Sequence, residues 1–222
     1  MRPDAVAEMF RRFEAAEPDP RGELVAPNSF CLLVAVVLSA QATDKSVNAA
    51  TPALFARAST PQAMLALGED AVRDAIRTIG LFNSKARNVV ALSAALLERH
   101  GGEVPADRDA LEALPGVGRK TANVVMQMAF GADAIAVDTH VFRVANRTGL
   151  APGKTPLAVE GALMAAVPAA YLNRAHHWLI LHGRYVCLAR RPECWRCIIA
   201  DLCAFEDKTT GPRPMRMKEK TR

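Results

Sequence analysis

Apolar residues recur at helical spacing along most of the chain, and residues that start or stop helices separate the apolar stretches. The longest apolar stretch is FCLLVAVVL, from Phe30 to Leu38. A membrane span needs about 20 such residues, so this stretch predicts a helix buried in a protein core. Runs that alternate β-branched and polar residues, the pattern of a strand, are nearly absent. The pattern therefore predicts an all-α fold.

Residues with known preferences for helix ends mark where the helices begin and stop. Thr60 and Thr155 each precede a proline, a pairing that favours a helix start. DRDALEAL begins with an aspartate cap and runs into Pro115, whereas DTHVFRVANRTG begins with Asp138 or Thr139 as its cap. NSKARNVVALSAALLERHGG predicts a helix that stops at its two glycines, and AAYLNRAHHWLILHGRYVC predicts one long helix with an apolar face.

Composition narrows the class of protein. The chain has 222 residues, half of them apolar, and a formal net charge of +5. These values indicate a globular protein and fit an anionic partner such as nucleic acid, although many basic proteins bind none. The N-terminal segment lacks the apolar core of a secretion signal, so we expect a cytoplasmic protein. Thiols stay reduced in that compartment, and clustered cysteines there indicate metal binding more than disulfides.

The segment EALPGVGRKTANVV predicts a tight turn between two helices. Pro115 ends the first helix, and Gly116 and Gly118 allow a hairpin that other residues would resist. Backbone N–H groups at such a turn point outward and suit a phosphate oxygen, which favours a grip on DNA that reads no bases. An ordinary corner between two helices is the alternative.

Two polar residues after this turn are candidates for catalysis. Lys120 lies in the first turn of the second helix, where the positive helix end repels its charge, and a neutral amine is a nucleophile. A lysine that merely extends into solvent is the alternative. Asp138 follows apolar residues and precedes a helix, so it predicts an N-cap. A carboxylate held rigidly by a cap is also well placed for catalysis.

The cysteines form the most specific pattern in the chain. Four of the five fall within seventeen positions with the spacing C-x6-C-x2-C-x5-C, at Cys187, Cys194, Cys197 and Cys203. Four thiolates this close suit a [4Fe–4S] cluster or a four-cysteine zinc site, although the gaps differ from those of a zinc ribbon. Arg190 and Arg191 lie between the first two cysteines and could form a basic loop against phosphates. Cys31 lies in the apolar run and predicts a core position.

The remaining polar candidates carry weaker signals. His176, His177 and His182 lie on one helical pattern but match no zinc-protease spacing, so we expect packing and hydrogen bonding. Gln41 lies in LSAQATD, where the buried helix emerges, and Leu81 follows a glycine in TIGLFNSKA.

The hairpin with its lysine, VDTH and the cysteine spacing occur together with LSAQATD, TIGLFNSKA and HHWLILHGRY. In this order they closely resemble endonuclease III, a family of bacterial DNA glycosylases in the helix-hairpin-helix superfamily. The resemblance covers roughly residues 23–203. It implies that Lys120 is the catalytic amine and Asp138 the catalytic carboxylate. It also implies a [4Fe–4S] cluster on the four cysteines, with a structural and DNA-docking role.

The same resemblance implies a set of DNA-binding residues. The hairpin residues Leu114, Gly116, Val117 and Gly118 match the family's phosphate grip, where a monovalent cation often also binds. Gln41 and Leu81 resemble the residues that enter the duplex and fill the gap left by an extruded nucleotide. We expect the partner to be double-stranded DNA with a damaged pyrimidine or an abasic site. We also expect a monomeric protein that associates with the nucleoid when it acts on DNA.

The implied architecture is two helical domains flanking a DNA-binding groove. A six-helix barrel would span 22–132, with the helix-hairpin-helix at about 107–127. Residues 1–21 and 133–205 would form the iron–sulfur cluster domain. The basic segment 206–222, KTTGPRPMRMKEKTR for its last fifteen residues, predicts a disordered tail.

The implied activity is base excision DNA repair. A bifunctional DNA N-glycosylase would remove oxidised pyrimidines, and its AP lyase activity would cleave 3′ to the abasic site by β-elimination through a Schiff base on Lys120. Adenine glycosylases share the cysteine pattern, but they lack the hairpin lysine and use a carboxylate before the Q-x-T segment. Here no acid occurs between Glu23 and Asp44, which argues against that activity. A non-catalytic DNA-binding module and a ferredoxin-like electron carrier are the alternatives from other classes.

Overall fold

The computed structural model describes residues 1–212. Over this range the chain forms ten α-helices and two short 3₁₀ turns without a strand, which confirms the predicted all-α fold. The helices are α1 (Pro3–Ala16), α2 (Ser29–Ser39), α3 (Asp44–Arg57), α4 (Pro61–Ala75), α5 (Phe82–His100), α6 (Arg108–Glu112), α7 (Arg119–Phe130), α8 (Thr139–Thr148), α9 (Pro156–Ala166) and α10 (Leu172–Tyr185). No helix within these residues is both long and apolar enough to cross a bilayer.

The chain divides into two compact units. The hairpin unit is Arg21–Ala136 and contains α2 to α7. The cysteine unit joins Met1–Pro20 to the chain from Val137 onward and contains α1 and α8 to α10.

Helix α2 forms the centre of the hairpin unit. Every residue from Phe30 to Leu38 is buried, which confirms the predicted core helix and the core position of Cys31. The Asn28 side chain caps this helix by accepting a hydrogen bond from the Cys31 backbone N–H at 2.8 Å. Around α2 pack α3, α5 and α7, so the helix that follows the glycine turn rests directly on the core.

The predicted helix boundaries agree with the structure where a local cap defines them. Thr60, Asp107 and Thr155 each accept a hydrogen bond from the backbone N–H three residues on. The predicted long helix at the C-terminal end differs, because a 3₁₀ turn over Ala169–Tyr171 precedes α10 and the helix ends at Tyr185. Gly68, with φ of +79°, also breaks the helical path inside α4.

Aromatic side chains join α1 to α10 in the cysteine unit. Phe10 of α1 stacks on Tyr171 with ring centroids 5.7 Å apart, and Trp178 of α10 lies 6.1 Å away. The indole N–H of Trp178 donates to the Glu17 carbonyl at 2.9 Å. Helix α8 approaches α10 closely at Gly183, where an added Cβ would lie 2.8 Å from the Cβ of His140.

Candidate functional site

The hairpin turn between α6 and α7 is anchored by two apolar side chains and opens at a glycine. Leu114 and Val117 are buried, and the Val117 N–H donates to the Leu114 carbonyl at 3.1 Å. Any contact of these two residues with a ligand would therefore come from the main chain. Gly116 is exposed with φ of +77°, and a Cβ there would lie 2.8 Å from Nδ2 of Asn88. Only glycine meets both conditions without strain.

The sequence predicts that the backbone of the turn requires glycine at both Gly116 and Gly118, but the structure differs at Gly118. Its φ of −103° and ψ of 174° suit any residue, and no atom lies within 4 Å of an added Cβ. The expectation is wrong for Gly118 because the backbone reverses at Gly116 alone. Gly118 is the N-cap of α7 and offers no side-chain acceptor to the first turn. Its missing side chain leaves space above the N–H groups at the helix start, where an anion would bind.

Lys120 is exposed at the second position of α7. The residues that follow it, Thr121 to Val125, are all buried. The helix is therefore held by the core directly after the lysine, and the amine is accessible to a ligand that occupies the turn.

Two exposed residues of the hairpin unit have strained backbone conformations. Gln41 has φ of 55° and Leu81 has φ of 61°, and within residues 1–212 no other non-glycine residue has positive φ. This conformation costs a residue with a Cβ about 1 kcal/mol or more, and such strain concentrates at functional sites. Leu81 is 57% exposed, although burial is the usual state of leucine.

Asp138 is the N-cap of α8, as its position in the sequence predicts. Its Oδ1 accepts hydrogen bonds from the N–H groups of His140 at 2.9 Å and Val141 at 2.8 Å. Both bonds use the same oxygen, so Oδ2 stays available to a ligand. The carboxylate is half-buried and held in one orientation by the cap.

The four cysteines of the C-x6-C-x2-C-x5-C pattern line one cavity of the cysteine unit. His182, Arg147 and Phe205 also line this cavity. Within residues 1–212 no three His, Cys, Asp or Glu side chains converge on a single-ion position. The four sulfur donors are spread around the cavity, as the ligands of a cluster of several iron atoms would be. The residues present therefore fit a [4Fe–4S] cluster.

Hydrogen-bond donors face the sulfur atoms. Arg147 Nη1 lies 3.7 Å from Cys187 Sγ, and the Phe205 N–H donates to Cys203 Sγ at 3.4 Å. Burial raises the pKa of the Cys197 thiol to about 11, whereas iron binding requires the thiolate. Donors of this kind stabilise the negative charge that four thiolates bring to a cluster.

Helix α8 supplies two arginines that sequence reasoning missed. Arg143 donates to the carbonyls of Cys187 at 3.0 Å and Gly183 at 2.8 Å. Arg147 donates to the carbonyls of Leu188 and Ala189, each at 2.7 Å. The i,i+4 spacing of two arginines on the helix that Asp138 caps was the available signal. One helix thus carries the candidate carboxylate at its start and holds the cysteine loop further along.

Part of the predicted disordered tail is ordered. Thr209 accepts a hydrogen bond from the Cys194 N–H at 3.2 Å and donates to the Pro192 carbonyl. Arg191 is half-buried and donates to the Gly211 carbonyl at 3.3 Å, whereas Arg190 is exposed. The prediction is wrong up to residue 212 because the chain binds back onto the cysteine loop. Its remainder, 213–222, lies outside the described residues.

The histidines of α10 are buried, and one of them contacts the cysteine cavity. His176, His177 and His182 are 4%, 6% and 7% exposed, which confirms packing positions. His182 Nε2 lies 3.6 Å from Cys197 Sγ. Burial, and then the charge of Arg196, lower the pKa of His182 to about 4, so the ring is neutral at pH 7.

Two family models of known proteins match parts of the chain. A family model described as HhH-GPD superfamily base excision DNA repair protein matches residues 34–169, and one described as the iron-sulfur binding domain of endonuclease III matches residues 187–203. The first match spans more than half of the chain, which therefore belongs to the HhH-GPD superfamily of base excision DNA repair proteins.

The relatives narrow the assignment to one family. Endonuclease III of Treponema pallidum (strain Nichols) is 59% identical over 88% of this chain and 92% of its own length. Endonuclease III of Escherichia coli (strain K12) is 58% identical over 90% of this chain and 95% of its own length. A solved structure of a trapped endonuclease III–DNA covalent intermediate, an estranged-adenine complex, matches with a TM-score of 0.86 at 45% identity, covering 92% of this chain and 96% of the other.

The chain belongs to the endonuclease III family, as the sequence motifs predict. It is an enzyme of base excision repair, a DNA glycosylase, and its cofactor is a [4Fe–4S] cluster.

Proposed function

We propose that this protein binds duplex DNA, extrudes an oxidised pyrimidine, removes the base and cleaves the strand through a Schiff base on Lys120. The observation that carries the proposal is an exposed amine at the start of α7, directly after the Gly116 turn, in a chain of the endonuclease III family. In this proposal the protein acts as a monomer in the cytoplasm and associates with the nucleoid when it acts on DNA.

The hairpin turn binds a DNA phosphate. The uncapped first turn of α7 and the open space at Gly118 support this role, because backbone N–H groups at a helix start are good phosphate donors. Backbone carbonyl oxygens of the turn would hold a monovalent cation, which would add positive charge for an anionic ligand. The exposed Arg190 adds a further phosphate contact, and Arg191 orders the loop around it.

Gln41 and Leu81 enter the duplex and fill the space left by the extruded nucleotide. Both are exposed and both hold a strained backbone conformation, which favours a role with a ligand over a role in the core. Extrusion costs less for a damaged base that is already poorly stacked, so this step contributes to selectivity.

Lys120 and Asp138 carry the chemistry. The Lys120 amine bonds to C1′ while the base leaves with the electron pair of the glycosidic bond. The Asp138 carboxylate stabilises the positive charge that develops at C1′ and helps to remove the proton that the nitrogen loses once this bond has formed. Opening of the sugar yields a Schiff base, loss of a C2′ proton expels the 3′ phosphate by β-elimination, and hydrolysis frees the amine.

The cluster supplies structure and takes no part in these bond changes. When bound, it joins the four cysteines into one rigid centre. Arg143 and Arg147 then connect the cysteine loop to α8, and α8 presents Asp138 at its start. The loop thereby contributes to the orientation of the carboxylate and to DNA docking.

Borohydride trapping tests the amine chemistry. The enzyme is incubated with a duplex that carries one thymine glycol, sodium borohydride is added, and covalent adducts are resolved by denaturing electrophoresis. We expect an adduct with the wild type and none with Lys120→Gln. Lys45→Gln is the matched control, because Lys45 is an exposed lysine of α3 that the mechanism does not use.

A duplex with an abasic site separates the two activities. An adduct on the abasic duplex but not on thymine glycol would leave the lyase in place and reject the lesion class. An adduct that persists in Lys120→Gln would reject Lys120 as the nucleophile. If the wild type forms no adduct on either duplex, the lyase mechanism is wrong.

A further inference from the structure

Lys85 is a cation enclosed in the hairpin unit without an acceptor. The residue is 5% exposed, and its Nζ is buried and has no hydrogen-bond partner. Burial lowers the pKa of this amine, because the charged form is the one that loses hydration. Enclosing an ammonium without a partner destabilises a fold, and buried polar groups are nearly always paired. The missing acceptor therefore needs an explanation outside the free protein.

The position of Lys85 indicates what kind of acceptor is missing. It is the fourth residue of α5, a 19-residue helix whose N-cap is Leu81. Leu81 makes no side-chain cap hydrogen bond, so the first N–H groups of α5 also have no side-chain acceptor. Helical side chains tilt towards the N-terminus, so an extended Lys85 side chain would lead towards this same helix end. An ammonium, free N–H donors and the positive helix end favour an anion.

The same helix leads from Leu81 to the hairpin turn. Asn88 lies one turn after Lys85 on α5, and an added Cβ on Gly116 would lie 2.8 Å from its Nδ2. Residues three apart share a face of a helix. Lys85 therefore lies on the face of α5 between the exposed Leu81 and the glycine turn, two elements proposed above to contact DNA.

We propose that Lys85, once its side chain turns out of its enclosed position, and the uncapped start of α5 together bind one phosphate of the DNA backbone next to Leu81. The inference rests on the proposed DNA binding and assigns a second phosphate site to the hairpin unit. The site differs from the glycine turn, which has only backbone donors, because here a side-chain charge is included. A phosphodiester supplies the missing acceptor. The unpaired cation lowers the stability of the free protein but strengthens its binding to DNA, and this gain explains why the lysine is retained.

The test compares Lys85→Met with Arg87→Met on duplex DNA that carries a tetrahydrofuran abasic analogue. Arg87 is the matched control, because it lies on the same helix two residues on and is exposed. Anisotropy titrations over a range of salt concentrations report affinity and its salt dependence. We expect Lys85→Met to lower the slope of log affinity against log salt by about 0.9, the value for one phosphate, and affinity by about tenfold. Unchanged affinity and slope would overturn the inference.

A methylphosphonate scan locates the phosphate. Each phosphate within three positions of the lesion is replaced in turn by a neutral methylphosphonate, and binding is measured with both variants. We expect one position at which the replacement weakens wild type and Arg87→Met but has no further effect on Lys85→Met. Additive losses at every position would show that Lys85 contacts no phosphate.

Thermal unfolding without DNA separates binding from a structural role. Lys85→Met is expected to melt at or above the wild-type temperature, because it removes an unpaired buried charge, whereas a lysine retained for structure would leave a less stable protein when replaced. If Lys85→Met does not fold, Lys85→Gln carries the same tests. Inorganic phosphate that raises the melting temperature of wild type but not of Lys85→Met, with DNA binding unchanged, would assign the site to the free ion.

Wild-type trapping on the abasic duplex keeps the two proposals distinct. If the wild type forms its covalent adduct while Lys85→Met binds DNA normally, only this inference fails. If the wild type neither binds nor forms an adduct, the proposed function itself fails.

Discussion

The hairpin turn and the cysteine loop are both short irregular segments, but they are held in different ways. In the turn, Leu114 and Val117 insert into an apolar core and bond to each other across two residues. In the loop, Arg143 and Arg147 from a distant helix hold the backbone, and the cysteine side chains surround a cavity. The turn is stabilised by its neighbours in sequence and by the core. The loop depends on remote side chains and on its cluster.

This difference predicts that the loop is the more fragile of the two. Residues that line a cavity have no packing partner on that side, and a bound metal group supplies the missing stability. The glycine turn, by contrast, rests on α7, which packs on the buried helix α2. Four sets of substitutions test this difference.

Removal of a cluster ligand should have the largest effect. Cys197→Ser is expected to lose the visible absorption of the iron–sulfur cluster and more than about 4 kcal/mol of unfolding free energy. Hydrogen exchange should increase in the cysteine loop and stay slow in α2. Cys31→Ala is the control, because Cys31 is a buried core residue that lines no part of the cavity, and it should retain the absorption. Slow exchange in the loop of Cys197→Ser would contradict the dependence on the cluster.

Loss of the arginine that holds the loop should have the next largest effect. Arg147→Met removes the bonds to the carbonyls of Leu188 and Ala189 and the donor facing Cys187 Sγ. Hydrogen bonds from a charged group contribute about 1.5–3 kcal/mol, so the melting temperature should fall and the cluster should bleach faster in air. Arg190→Met, a change at an exposed arginine of the loop, should leave both unchanged. Equal bleaching rates in the two variants would count against the role of Arg147.

The two glycines of the turn should respond differently to alanine. Gly116→Ala meets positive φ and the Asn88 side chain, so it should cost about 1–3 kcal/mol of stability. Gly118→Ala meets neither and should leave the melting temperature unchanged, but it should weaken DNA binding by obstructing the start of α7. Chemical denaturation and anisotropy titration measure the two effects. A stability loss in Gly118→Ala similar to that in Gly116→Ala would remove the distinction.

The smallest expected effect is a pH dependence within the hairpin unit. The pKa of Lys85 is lowered in the folded protein, so the unfolded chain binds the proton more tightly. The penalty is fully present below the folded pKa and disappears as pH rises towards the unfolded value of about 10.4. The stability difference between Lys85→Met and wild type should therefore shrink with rising pH. Urea denaturation at several alkaline pH values measures it, and a difference independent of pH would contradict the burial of the charge.

Much of the fold was readable from the sequence, because short-range chemistry sets it. Caps at Thr60, Asp107 and Thr155 mark helix starts, since the side chain reaches only three residues ahead. The apolar run from Phe30 to Leu38 could form only a buried helix at that length. The cysteine spacing predicted its cofactor because all four ligands are close together in the chain.

The sequence predicted the individual residues of the candidate site but not the residues that hold them in place. Asp138 as a cap and Gly116 as a turn follow from local rules. Arg143 and Arg147 were missed because their acceptors lie about 40 residues away and are backbone carbonyls, which every residue carries. The ordered segment at Thr209 was missed for the same reason, since its partners belong to the cysteine loop.

Short sequence patterns were enough to predict the helical class, the family, the cofactor and the candidate residues, because each of these depends on residues that lie close together in the chain. Three findings required the folded structure. The backbone at Gly118 does not require a glycine, Leu81 and Gln41 have strained backbone conformations, and the Lys85 amine is enclosed without a hydrogen-bond partner. Burial and backbone strain depend on which distant segments pack against each other, and local sequence patterns do not show which segments these are.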